Sequence, residues 1–160
     1  MNKKAVSAIV ATVLLVLITI AAVGIIWGAI MPMIRGNIEK SQKCFDVGIE
    51  LRSGGNTCFY PYEDKLELQV SKGEKDVELS DIQIQVGFEG TSKSFRASNS
   101  SIVIINNGTM PGLNEEVKYT INTSALNIAG VDYASVAAVL KIGNTESLCS
   151  ASQPAAISSC

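Results

Sequence analysis

The chain has 160 residues, with 13 basic side chains against 15 acidic ones, four cysteines and no histidine. Lacking histidine, and with no Gly-x-Ser-x-Gly, phosphate-binding loop or closely spaced metal ligands, it offers no catalytic constellation, so neither an enzyme nor a cofactor is expected. A slightly acidic balance also argues against a nucleic-acid partner.

The first predicted element begins almost at once. Residues 5–34 carry no charge and follow directly on Met1-Asn2-Lys3-Lys4. As a helix rising ~1.5 Å per residue this run is roughly 45 Å long, against a hydrocarbon layer of about 30 Å, so it can span a membrane. Positive charge flanking a first apolar segment tends to stay cytoplasmic, which places the chain after Arg35 outside. Removing Lys3 and Lys4 from the 13 basic residues leaves 11, Arg35 included, against 15 acidic ones, a net charge of −4 on Arg35 and the chain that follows it.

An ordinary secretory signal has an apolar stretch of about 7–15 residues and then a small-residue cleavage site. Here the stretch is longer and the small residues, Ala5, Ser7, Ala8 and Ala11, stand at its beginning. A cut there removes the lysines and keeps the helix. The run Lys3-Lys4-Ala5-Val6-Ser7-Ala8-Ile9-Val10-Ala11-Thr12-Val13-Leu14-Leu15-Val16-Leu17 resembles the class III signal and N-terminal helix of archaeal type IV pilins. The resemblance covers about the first 34 residues. It implies that a prepilin peptidase reads Lys3, Lys4, Ala5 and Val6 and cuts after Ala5, with a cut after Lys4 as the alternative. Bacterial type IV pilins usually carry glutamate at the fifth mature position; either cut here puts an apolar residue there, Val10 or Ile9, which favours the archaeal branch. Archaellins share the general plan but usually open their helix differently.

What the resemblance implies is a structural subunit that polymerises through its helix into an extracellular filament for adhesion. Its partners are copies of itself, the prepilin peptidase and the pilus assembly machinery, with the membrane as its location before assembly. Two readings stand beside it: a single-span anchor carrying an extracellular binding domain that never polymerises, and an archaellin-like motility subunit. Excess helix length and small residues fit a bundled filament core, where close interhelical packing replaces lipid contacts.

Gly24 and Gly28 form a Gly-x-x-x-Gly pair that brings two residues without side chains to one helix face. Trp27 lies between them and suits either an interfacial belt or a groove between subunits. Pro32 removes a backbone donor and Gly36 weakens helical continuity, so a kink or helix end is expected nearby. The expected organisation is a leader over 1–5, a membrane and filament-core helix over 6–35, a polar neck over 36–44 and an exported head over 45–160.

In the head, period-two alternation replaces the continuous apolar run. Strands are expected over Val47 to Leu51, Leu66 to Val70, Ile82 to Phe88, Ser101 to Asn106, Val117 to Ile121 and Tyr133 to Ile142, the last covered on both faces. Turn-rich stretches such as Ser53-Gly54-Gly55-Asn56 and Asn106-Asn107-Gly108 separate them. The fold class is α+β: a long N-terminal helix and a β-rich, immunoglobulin-like sandwich. Ser150 to Ser159 reads as a loosely structured end tied by Cys160.

Cys44, Cys58, Cys149 and Cys160 all fall in the exported part, and an even number there suggests two disulfides. Of the three connectivities, the pairing of sequence neighbours, Cys44 with Cys58 and Cys149 with Cys160, is preferred. Zinc would want closely spaced ligand pairs and often histidine. Asn99, Asn107 and Asn122 each open an acceptor pattern for N-linked glycosylation, within 24 residues of one another. The acidic pairs Glu63-Asp64, Glu74 with Asp76 and Glu115-Glu116 lack the spacing of a calcium loop and read as solvated surface. Phe59-Tyr60-Pro61-Tyr62 is an aromatic run that suits loop packing or contact with carbohydrate or a partner.

Overall fold

The computed structural model describes residues 3–54 and 56–160, and the side chains of all of these except residues 3–8. Met1, Asn2 and Gly55, and the side chains of Lys3, Lys4, Ala5 and Val6 at the expected cut, lie outside that description. The chain divides into two compact units, Met1–Lys40 and Ser41–Cys160.

Helix α1 spans Lys3–Ile25, a π-helical segment covers Ile26–Ile30, and α2 runs over Met31–Val47. The irregularity expected at Pro32 is present one turn earlier. Pro32 has no N–H to give the Gly28 carbonyl, and its ring presses on that same group. The wider turn answers both problems: the Met31 N–H donates to the Ile26 carbonyl, five residues back. Helical geometry then continues through Gly36, so residues 36–44 are helical. It stops at Val47 because Gly48 takes a left-handed φ of 52°, the usual helix-ending glycine conformation. The strand expected from Val47 therefore starts only at Glu50.

The second unit is built from β1 (Glu50–Leu51), β2 (Cys58–Tyr60), β3 (Lys65–Ser71), β4 (Leu79–Phe88), β5 (Thr91–Arg96), β6 (Val103–Ile105), β7 (Glu116–Asn122), a single turn α3 (Thr123–Leu126), β8 (Tyr133–Ile142), β9 (Thr145–Leu148), β10 (Ala155–Ala156) and β11 (Ser158–Ser159). One sheet has the order β11-β2-β3-β7-β6, with β1 also on β3; the other is β10-β8-β4-β5, with β9 also on β8. Taken as β2-β3-β7-β6 against β9-β8-β4-β5, these are the A-B-E-D and G-F-C-C′ orders of an immunoglobulin sandwich. The pairing is antiparallel apart from β11, which lies parallel to β2.

Alternation puts one face of each strand into the core. Leu66, Leu68 and Val70 of β3 and Val117, Tyr119 and Ile121 of β7 share one cluster with Ile82, Ile84 and Val86 of β4 and Val136 of β8. Burying each such aliphatic side chain contributes about 1.5–3 kcal/mol before chain entropy is counted. The Tyr119 hydroxyl donates to the Thr109 carbonyl, and burial, with a smaller push from the Asp81 charge, raises its pKa well above the usual phenol value. The same face of β8 carries on past that cluster into a second one. Ala138 and Leu140 pack with Val47 and Cys149, with Cys44, Val77 and Leu79 beside them. Ser135, Ala137 and Val139, which point to the opposite face, are buried as well, so β8 is a run of buried residues from Ala134 to Leu140, as its composition predicts.

The disulfides correct the expected pairing. Cys44 bonds Cys149 and Cys58 bonds Cys160, so the sequence neighbours are not joined. Register supplies the reason. Parallel pairing of β11 with β2 sets Ser159 against Phe59, and the Cys160 N–H donates to the Phe59 carbonyl at 2.9 Å, which brings the last residue beside the second sheet strand. Cys149 follows β9, over the same face of β8 that receives the end of α2. The bridges close loops with sequence separations of 105 and 102, worth about 4.7 kcal/mol each on the chain-entropy model, against roughly 3 kcal/mol for short loops.

Candidate functional site: an apolar helix and a β-sandwich head

A helix apolar on every side cannot remain in water, and the first unit presents one. Its large side chains from Ile9 to Ile34 are mostly exposed, Leu17 and Trp27 among them. The part of the helix whose side chains are described, Ile9–Val47, is 39 residues long, and its most apolar stretch has none of its residues buried. This segment is long and apolar enough to cross a membrane.

The hydroxyls of Thr12 and Thr19 are satisfied locally. Thr12 donates its hydroxyl to the Ile9 carbonyl at 2.9 Å and Thr19 to the Val16 carbonyl at 2.8 Å. Neither hydroxyl needs water, which suits hydrocarbon or a dry helix bundle equally. Gly24 lies in α1, while Trp27 and Gly28 lie in the π segment. At both glycines no atom stands within 4 Å of the position a Cβ would take, so within this chain nothing demands glycine there. Trp27 is 63% exposed.

Beyond Ile34 the helix changes from apolar all round to amphipathic. Ile38 and Phe45 remain exposed, Phe45 at 87%, among Arg35, Glu39, Lys40 and Lys43. Sequence reasoning took this stretch as polar and missed the apolar stripe. Spacing of four and then seven residues from Ile34 would have revealed it.

On the head, the aromatic run divides three ways. Phe59 is core, Tyr60 receives the Lys65 ammonium 4.7 Å from its ring centroid, and Tyr62 is 99% exposed at the tip of the β2–β3 hairpin. Acidic residues mostly serve their own surroundings. Glu116 pairs with Arg52 at 2.9 Å, Glu115 accepts from the Gly112 N–H at 2.8 Å, and Asp64 accepts from the Ser124 hydroxyl at 2.8 Å. Glu67 sits on the outer face of β3 between Lys65, at 2.7 Å, and Lys118. Burial pushes its pKa up, but hydrogen bonds from Lys118 and Lys65 and their charges outweigh that and hold it below the usual value.

The three candidate glycosylation sites, spread along the sequence, come together around β6. Asn99 precedes it and Asn107 follows it. Asn122 ends the neighbouring strand, its N–H donating to the Ile102 carbonyl at 2.8 Å. No protein-family model matches this chain, and comparison with curated proteins and with solved structures yields no match.

Proposed function

We propose that this chain is a structural subunit of an archaeal type IV pilus: a prepilin peptidase removes the leader through Ala5, and the freed helices bundle as the filament core with the sandwich heads displayed outward for adhesion. The observation that carries the reading is the helix itself, charge-free over residues 5–34, exposed on every side from Ile9 onward, and preceded by two lysines at the position where such a signal is cut. Its length exceeds what a bilayer requires, and its hydroxyls are satisfied without water. A head stapled by two long-range disulfides suits an oxidising exterior.

Function is then assembly. Before polymerisation the helix sits in the membrane, held by the hydrophobic effect. During assembly it exchanges lipid for the same apolar surface of neighbouring copies, a trade driven by close van der Waals packing. Leu17 lies near the middle of the charge-free run, and Leu17→Asp costs about 3–4 kcal/mol on insertion scales for a helix centre. Surface filaments should be lost in cells carrying Leu17→Asp and retained with Leu17→Ile; filaments of normal number from the aspartate variant would overturn the reading.

A further inference from the structure

Strand β6 is an exposed, apolar edge that carries no charge. It closes its sheet beside β7, and Ile104 and Ile105 are 56% and 53% exposed because a register shift between Val103 and Ile105 turns both outward. An apolar edge with unpaired backbone groups is a template for pairing with another chain, and proteins blunt such edges with charge, proline or a cover. The opposite sheet follows this rule, since its edge strand β5 carries Lys93 and Arg96. Strand β6 is limited by its three-residue length and its register shift, but it has no charge to add to these, since residues 97–114 contain no charged side chain.

What the region has instead is asparagine. Asn99 accepts the N–H of both Ile102 and Val103 on its carbonyl, at 3.1 and 2.8 Å, so its Cα lies at the mouth of β6. Its side-chain oxygen accepts the Ser101 N–H at 3.1 Å, and among the described residues the carboxamide nitrogen has no partner. Asn107, two residues past Ile105, is exposed in a turn set by left-handed φ values of 59° at Asn106 and 69° at Gly108. Asn122 differs. It is half-buried, its oxygen caps α3 through the Ala125 N–H at 3.3 Å, and the Ser124 hydroxyl that completes its acceptor pattern is engaged by Asp64.

We propose that Asn99 and Asn107 carry N-linked glycans which together cover edge strand β6, while Asn122 stays unmodified. This rests on the reading that the head is exported. In the transfer, the carboxamide nitrogen loses a proton and bonds to the anomeric carbon of an oligosaccharide carried on a lipid-linked phosphate. The carbon–oxygen bond to that donor breaks, and the phosphate leaves with the electron pair. Two hydrated chains flanking a strand of three residues then take the place of the missing charges.

The test begins with the chain recovered from native cells, separated into surface-released and cell-retained material and digested for glycopeptide mass spectrometry. Glycan mass on Asn99 and Asn107, and none on Asn122, is the expected result. Ser101→Ala with Thr109→Ala removes both acceptor patterns while keeping the asparagines and the Asn99 turn. The detergent-solubilised double variant should lose monodispersity, and adding Ile104→Lys should restore it. Bare Asn99 and Asn107 on surface-released chain overturn this inference and leave the export reading standing, whereas bare asparagines on a chain never released to the surface overturn both. Occupied sites whose removal leaves the chain as monodisperse as the wild type overturn the shielding role.

Discussion

Replacing Gly24 by leucine separates a helix that polymerises from one that only sits in lipid. In the single chain every physical term favours the change. No atom stands within 4 Å of the added Cβ. Helix propensity improves by about 0.5–1 kcal/mol, and membrane insertion improves by about 0.3–0.6 kcal/mol for a leucine near the centre of a span. A plain anchor would thus be as well inserted as before, or better. In a bundle the same leucine occupies the space that lets two backbones approach, and overpacking of this kind costs about 1–3 kcal/mol. At 1.4 kcal/mol per factor of ten, the equilibrium for adding each subunit weakens roughly 5- to 150-fold, and the penalty recurs with every copy. Negative-stain counting of surface filaments, with the membrane-fraction level of the chain measured in parallel, reads both effects. The expected result is normal or raised membrane content with few or no filaments. Filaments of wild-type number and length in the Gly24→Leu strain would refute the packing argument.

Two predictions concern the head. Gly87 faces Tyr133 across β4 and β8, and a Cβ there would lie 2.1 Å from Tyr133 Cε1; Gly87→Ala should destabilise the chain by about 1–3 kcal/mol in urea unfolding, and the loss should vanish in a Tyr133→Ala background. An equal cost in both backgrounds would show that the ring is not the cause. Because the Glu67 carboxyl is held below its ordinary 4.5 in the folded state, its contribution is present above that value and is lost as the pH falls through the folded-state pKa. Unfolding at pH 7 and pH 3 should therefore show a smaller acid loss for Glu67→Gln than for the wild type.

The long elements were legible because each carries a period that one environment imposes. Leu66-Glu67-Leu68-Gln69-Val70 alternates because β3 has one face in the core, and Tyr133 to Ile142 is mostly apolar because β8 is buried on both faces, Ala134, Val136, Ala138 and Leu140 on one and Ser135, Ala137 and Val139 on the other. Strands β2, β5 and β9 left no such trace. Cys58-Phe59-Tyr60 runs straight into a turn, Thr91 to Lys93 and Ser94 are exposed along the β5 edge, and β9 has four residues with none buried. Disulfide pairing was illegible for a different reason, since loop length favours no partner strongly and only the parallel docking of β11 on β2 brings Cys160 to Cys58. The irregularity near Pro32 was foreseen from its missing donor, but its form as a π turn over Ile26–Ile30 depends on which carbonyl takes up the shifted N–H. At the candidate site, the apolar helix was visible from composition alone. The gathering of Asn99, Asn107 and Asn122 around β6 was not, because it requires the pairing of β6 with β7.

The central claim is that this helix is processed and then polymerised, and the identity of its first residue tests that most directly. Filaments sheared from the cell surface should contain this chain beginning at Val6, or at Ala5 if the cut follows Lys4, as read by mass spectrometry of the N-terminal peptide. A chain that keeps Met1-Asn2-Lys3-Lys4 and is found only in the membrane fraction would contradict the account and leave a single-span anchor in its place.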